Sequence, residues 1–313
     1  MNQANTAADD ELTPETPSET GGKRSVFARL RKRWSGRPKR YFIGMLTVLI
    51  AVVLLALPSP YVVEMPGPTA NVLGESGGKE VITIKNAKTY KDSGKLLLTT
   101  VNASGVPGYE TSNFWALVGW LNPHMNVLPS EAVFPVGQSS EEYNAESKKD
   151  MDSSMNSAIT AGVAYAKKLG VTDVKDSDVS MHIDDIGGPS AGMMYALGVV
   201  DKLTPQNEAN NVTIAGTGTI SDDGTVGKIG GIDLKMIGAR NAGATWFLAP
   251  ADNCDEVVGH VPSGLRDVKV STLAEAYEAI TKIGEGKADS LPHCTVTASS
   301  TANSTDSSSE SNK

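Results

Sequence analysis

The run Tyr41–Leu57, YFIGMLTVLIAVVLLAL, holds no charged residue. With the uncharged residues Pro58–Val63 added, it is just long enough to cross a bilayer as a helix, at about 1.5 Å per residue. The stretch before it, Lys23–Arg40, is rich in Lys and Arg and free of Asp and Glu. Basic flanks stay on the cytoplasmic side, so the N-terminus is expected inside and everything after Leu57 outside. A cleaved signal peptide is the rival reading. Its n-region would be about forty residues, which is too long, and a small-x-small cleavage site is missing around Leu54–Pro58. A buried helix of a soluble protein is the third.

Export bears on the two cysteines, Cys254 and Cys294. Outside the cytoplasm they can pair, and the chain-entropy model gives such a bridge roughly 4 kcal/mol for a loop of about forty residues. Two unpaired thiols are the alternative. The four histidines, His124, His182, His260 and His293, are isolated, with no C-x-x-C or H-E-x-x-H, so no metal site is expected. The net charge of −8 argues against a nucleic-acid partner, since the basic residues gather only beside the apolar run.

The rest of the chain divides by composition. Residues 1–40 read as a disordered tail that turns basic, and 41–60 as the span. Residues 62–150 alternate β-like runs, Val81–Ile84 and Leu96–Val101, with turn signals. Within them FWALVGWL, Phe114–Leu121, is apolar and aromatic; core packing is expected, with contact to a nearby membrane surface as the alternative. From Met151 to about 290 an α/β pattern takes over. Met155, Ile159, Val163, Ala166 and Leu169 recur at helical spacing up to Gly170. Strand runs at Val179–Ile183, Val212–Thr217, Thr245–Ala249 and Val268–Thr272 alternate with helices at Ser190–Leu203, Ile232–Ala242, Asp252–Val258 and Leu273–Ile283. Residues 295–313 are Ser/Thr-rich and expected to be disordered. No G-x-x-x-x-G-K-[ST] loop occurs, so no ATPase of that type is carried, and no cofactor is implied.

Two segments bring reactive groups to helix starts. In Asp184-Asp185-Ile186-Gly187-Gly188-Pro189-Ser190-Ala191-Gly192, a serine sits at the head of an apolar helix behind a glycine-rich turn. Unpaired N–H groups there could hold the oxyanion formed when a hydroxyl attacks an amide. A plain N-cap serine is the competing reading. In Gly230-Gly231-Ile232-Asp233-Leu234-Lys235, the neighbours of Lys235 at three and four positions are Gly231, Ile232, Gly238 and Ala239. None is a carboxylate. Burial could bring such an amine from about 10.4 to near 7, at about 4–5 kcal/mol, and make it a base. A lysine whose stem merely covers apolar surface is the alternative.

Residues from about Met151 to Ile283 resemble the proteolytic domain of the Lon proteases. The resemblance rests on Gly188-Pro189-Ser190-Ala191-Gly192, Thr217-Gly218, Gly230-Gly231-Ile232-x-x-Lys235 and Ala239-x-x-Ala242-Gly243, in order and correctly spaced. It implies an α/β (α+β) fold, Ser190 as nucleophile, Lys235 as general base and Thr217 as the hydroxyl that orients the amine. It also implies peptide hydrolysis through an acyl-enzyme, and a homo-oligomeric ring. The whole chain is similar to membrane-anchored, ATP-independent Lon-like proteases. It departs from them in two places. Leu169 and Ser190 are too close for the PDZ domain often inserted there. Gly187 stands where many Lon proteases have Asp, so any such help must come from Asp184 or Asp185.

Two rivals remain. Gly188-x-Ser190-x-Gly192 also fits the nucleophile elbow of an α/β-hydrolase esterase, with His260 or His293 as base, although that elbow needs a strand running straight into the serine. A tethered binding or scaffold module that lost its chemistry is the other. Without an unfoldase in the chain, the expected substrates are flexible or unfolded polypeptides.

Overall fold

A computed structural model describes residues 38–183 and 186–295. Of the tails expected at residues 1–40 and 295–313, residues 1–37 and 296–313 lie outside the described residues, as do Asp184 and Asp185, while Lys39 and Arg40 belong to a helix. The chain divides into two units at Ala56/Leu57.

The first unit contributes helix α1, Lys39–Ala56, with no buried residue. Its 18 residues make it long and apolar enough to cross a membrane.

The second unit begins at Leu57. Its strands are β1 (Tyr61–Asn71), β2 (Glu75–Ser76), β3 (Lys79–Glu80), β4 (Ile82–Ile84), β5 (Lys95–Ser104), β6 (Asn126–Pro129), β7 (Val179–Met181), β8 (Thr213–Gly216), β9 (Thr219–Ile220), β10 (Val226–Gly227), β11 (Trp246–Pro250) and β12 (Arg266–Val270). Its helices are α2 (Asn113–Leu121), α3 (Ser140–Lys168), α4 (Gly192–Leu203), α5 (Ile232–Asn241), α6 (Cys254–Val257) and α7 (Leu273–Gly284).

Six strands form one sheet in the order β12-β11-β8-β5-β1-β6. The first four are parallel, and β1 runs antiparallel to both β5 and β6. Short apolar runs such as Leu96–Leu98 suit parallel strands covered on both faces. Alternation sends neighbours to opposite sides. Leu96, Leu98, Ile214 and Leu248 join the core built with α3, α4 and α7, while Leu97, Ala215, Phe247 and Ala249 join the core built with α5 and α6. Because β5 pairs with β8, the β-rich stretch and the later α/β stretch share one sheet.

Three elements differ from the sequence reading. Helix α3 starts at Ser140, far ahead of the Met155–Leu169 periodicity. Its first turns are polar and carry no apolar stripe; a capping box between Ser139 and Glu142 starts them instead. Strand β7 stops at Met181 and pairs with β4 outside the main sheet. Between α3 and β7 lies only a loop with a short 3-10 helix, Asp176–Asp178.

The third difference concerns FWALVGWL. It folds as α2, but core packing holds for one side only: Ala116 and Gly119 are buried, whereas Phe114, Leu117, Trp120 and Leu121 are exposed. A side chain at Gly119 would meet Val127 and Val63 at 2.6 and 3.2 Å. The helix therefore lays its small residues on β1 and β6 and turns the bulky ones outward.

Cys254 and Cys294 are joined by a disulfide, with Cα atoms 4.9 Å apart. The Lys269 amide donates to Pro292 O at 2.8 Å, so the last described segment runs along β12.

Candidate active site

The two candidate residues are carried by elements on opposite faces of the sheet. Ser190 precedes α4, on the side of the larger core, and Lys235 lies in α5, on the other. The Ser190 carbonyl and the Lys235 amine both bond Thr217, the residue after β8, at the carboxyl end of a central parallel strand. Open α/β sheets place their sites at such ends.

Thr217 connects the two helices. Its Oγ1 donates to Ser190 O at 2.9 Å and accepts from Lys235 Nζ at 3.2 Å. The Gly218 amide donates to the same carbonyl at 2.8 Å. A threonine hydroxyl has one proton, and here the Ser190 carbonyl takes it. The oxygen can then only accept from the amine. Lys235 is 2% exposed. Burial brings its pKa down to about 8, against an opposing pull from the carboxylate of Glu64. A neutral amine so held keeps a lone pair free.

The segment before α4 departs from the expected helix start. The helix begins at Gly192 with Ala191 as N-cap and no side-chain cap, so the Ser190 hydroxyl does not serve as one. The first helical donors are occupied: the Gly192 amide bonds Pro189 O at 3.3 Å and the Met193 amide bonds Gly218 O at 3.0 Å. Gly188 has φ +84°, and a Cβ there would meet nothing within 4 Å, so backbone conformation alone calls for glycine. Ser154 Oγ of α3 donates to Pro189 O at 2.9 Å and pins the turn from behind. Among the described residues, Nζ makes no hydrogen bond to Ser190 Oγ; its bond goes to Thr217.

Residues 81–284 match the model of the Lon protease (S16) C-terminal proteolytic domain. This chain belongs to that family. It is 27% identical over 212 residues to the Lon protease of Neorickettsia sennetsu, which covers 64% of this chain and 25% of that protein. To Lon protease 1 of Sorangium cellulosum it is 32% identical over 181 residues, covering 54% and 21%. To the mitochondrial Lon protease homolog of Yarrowia lipolytica it is 36% identical over 96 residues, covering 30% and 8%. The matches therefore span about a quarter or less of these relatives' own lengths.

Two neighbours of these residues in this Lon-family chain were not singled out in the sequence. Glu64, on β1, reaches the start of α5: a side chain at Gly231 would lie 3.6 Å from its Oε2. Burial raises its pKa, Asp233 adds to that, and Lys235 opposes it. Asp233 in turn accepts from Asn126 Nδ2 at 3.1 Å. Ser154 is the second. Neither carries a local sequence signal, because each reaches the site from an element distant in the chain.

Cavities flank the turn before Ser190. One of about 260 Å³ touches Gly188 and is lined by Phe134, Pro135, Tyr143 and Glu146. Another of about 340 Å³ touches Gly187 and is lined by Met151, Met155, Ile183 and Ile186. The esterase bases bond elsewhere: His260 Nδ1 lies 3.0 Å from Glu256 O, and His293 Nδ1 lies 3.4 Å from Asp267. No strand runs into Ser190, since β7 ends at Met181.

Proposed function

We propose that this protein is a serine endopeptidase in which Ser190 attacks and Lys235 moves the proton. The observation that carries the reading is the buried amine of Lys235, bonded to Thr217, whose hydroxyl bonds the Ser190 carbonyl. Substrate binding brings Ser190 Oγ onto Nζ; catalytic hydrogen bonds commonly tighten at that stage. Nζ takes the hydroxyl proton as Oγ bonds the carbonyl carbon of the peptide. The oxyanion is held by the Ser190 and Ala191 amides, which take no partner among the described residues at a turn where Gly192 and Met193 are engaged. The protonated amine gives its proton to the leaving nitrogen. Water, deprotonated by the same amine, then releases the acyl group from Ser190.

The site is placed on the extracytoplasmic side of a membrane. The support is α1, uncharged from Tyr41 onward and preceded by basic residues, and the Cys254–Cys294 disulfide, which belongs in an oxidising compartment. Substrates are flexible or unfolded polypeptides, taken without ATP. A ring of identical subunits is part of the same reading.

The full-length protein in detergent is expected to degrade an unfolded protein, and Ser190→Ala to abolish this without changing the fold. Retained cleavage by that variant would reject the assignment of Ser190, and absence of cleavage by the wild type would leave the scaffold reading.

A further inference from the structure

Nothing in the catalytic account uses α2, yet among the described residues of the second unit this helix carries four of the nine exposed large apolar side chains. Phe114 is 53% exposed, Leu117 41%, Trp120 58% and Leu121 78%. At about 100° per residue these four side chains fall within an arc of about 120°, on the side away from Ala116 and Gly119. No Asp, Glu, Lys or Arg lies between Glu110 and Glu131, in a chain where such residues make up 20%. A helix facing water alone does not lack charge in this way.

Where α2 starts supplies the occupant. The Asn113 amide donates to Leu57 O at 3.0 Å, the Ser59 amide donates to Thr111 O at 2.9 Å, and Pro58 and Ser112 form a β-bridge. Leu57 directly follows Ala56, the last residue of α1. The head of α2 is thus joined by backbone bonds to Leu57, the first residue of the second unit. Tyr61 packs edge-on against Trp120, with ring centroids 5.0 Å apart. Tyrosine and tryptophan together are the pair that collects at membrane–water interfaces.

We propose that α2 is an interfacial helix that lies in the outer surface of the bilayer, with Phe114, Leu117, Trp120 and Leu121 at the level of the headgroup and acyl boundary. The inference rests on α1 crossing the membrane. Docking of α2 fixes the β1–β6 edge of the sheet against the surface, because Gly119 sits on Val63 and Val127. It also covers β6, an edge strand with an open side. Strand β1 carries Glu64, so the surface that receives the helix is continuous with the strand that flanks Lys235.

The test uses full-length protein reconstituted into phosphatidylcholine vesicles, with and without lipids brominated near the top of the acyl chain. Flotation reads the anchor. The difference in fluorescence between wild type and Trp120→Phe isolates Trp120 from the other three tryptophans. The expected result is flotation of both proteins and loss of most of the Trp120 signal in brominated vesicles. Flotation with an unquenched Trp120 overturns the proposal while leaving the anchor in place. If Trp120 is unquenched and Trp120→Glu dissociates an oligomer, the face belongs to a second copy, and the proposal is likewise overturned. Failure to float removes the anchor reading and this inference with it.

Discussion

At Lys235 stability and chemistry pull in opposite directions. The amine is buried with its pKa near 8, well below the unfolded value of about 10.4. Between those two values the unfolded chain binds more protons, so this group makes stability rise with pH from about 8 to 10.4, and its penalty is complete below 8. Lys235→Met, of similar length and uncharged, should raise the urea midpoint at pH 7, by a free energy on the order of 3 kcal/mol. It should also lower kcat/KM by about 10²–10⁴-fold, the usual share of a general base. The wild-type rate should rise through an apparent pKa near 8. Glu64 is the charge that holds this value up, so Glu64→Gln should move the acid limb to lower pH; an unmoved limb would show that Glu64 does not feel the base. A second buried group tilts stability the other way. Burial, Asp92 and Glu208 raise Asp201 to about 9. Its folded state holds a proton that the unfolded chain gives up near pH 4, so its contribution is full below about 4 and is lost as pH climbs to 9. Asp201→Asn should flatten the fall in melting temperature between pH 5 and 9.

The elements show what could be read from the chain beforehand. That Ser190, Thr217 and Lys235 belong together was legible, because each sits in a short motif of fixed spacing, and Thr217 bonds both the Ser190 carbonyl and the Lys235 amine. The strands Val212–Thr217 and Thr245–Ala249 lie within a residue of β8 and β11, since central parallel strands read as apolar runs bounded by turns. Glu64 and Ser154 were not legible, because they reach the site through β1 and α3 and nothing adjacent marks them. The start of α3 was missed for want of an apolar stripe. In α2 the apolar pattern was visible, but periodicity states only that a face is apolar, never what covers it. The turn before α4 supplies a prediction of its own. Gly188→Ala places a Cβ at φ +84° and should cost about 1–2 kcal/mol of stability, with a loss of activity beyond that cost, because the strain falls two residues from Ser190.

Across the whole molecule, two covalent features frame the second unit: its attachment to α1 at Leu57, and the Cys254–Cys294 bridge that ties the last described segment to α6. Reduction, or the paired Cys254→Ser and Cys294→Ser variant, should lower unfolding free energy by about 4 kcal/mol on the loop-closure argument. Activity should persist while the protein stays folded, since neither sulfur belongs to the Ser190 site. If a neutral Lys235 activates Ser190, the effect is read at acyl-enzyme formation. The protein is mixed with an activated peptide ester, quenched in acid at intervals across pH 6 to 10, and the acylated residue located by mass spectrometry. Acyl groups are expected on Ser190, formed at a rate that climbs through about pH 8 and collapses in Lys235→Met. Acylation elsewhere, or on Ser190 at an undiminished rate in Lys235→Met, would contradict it.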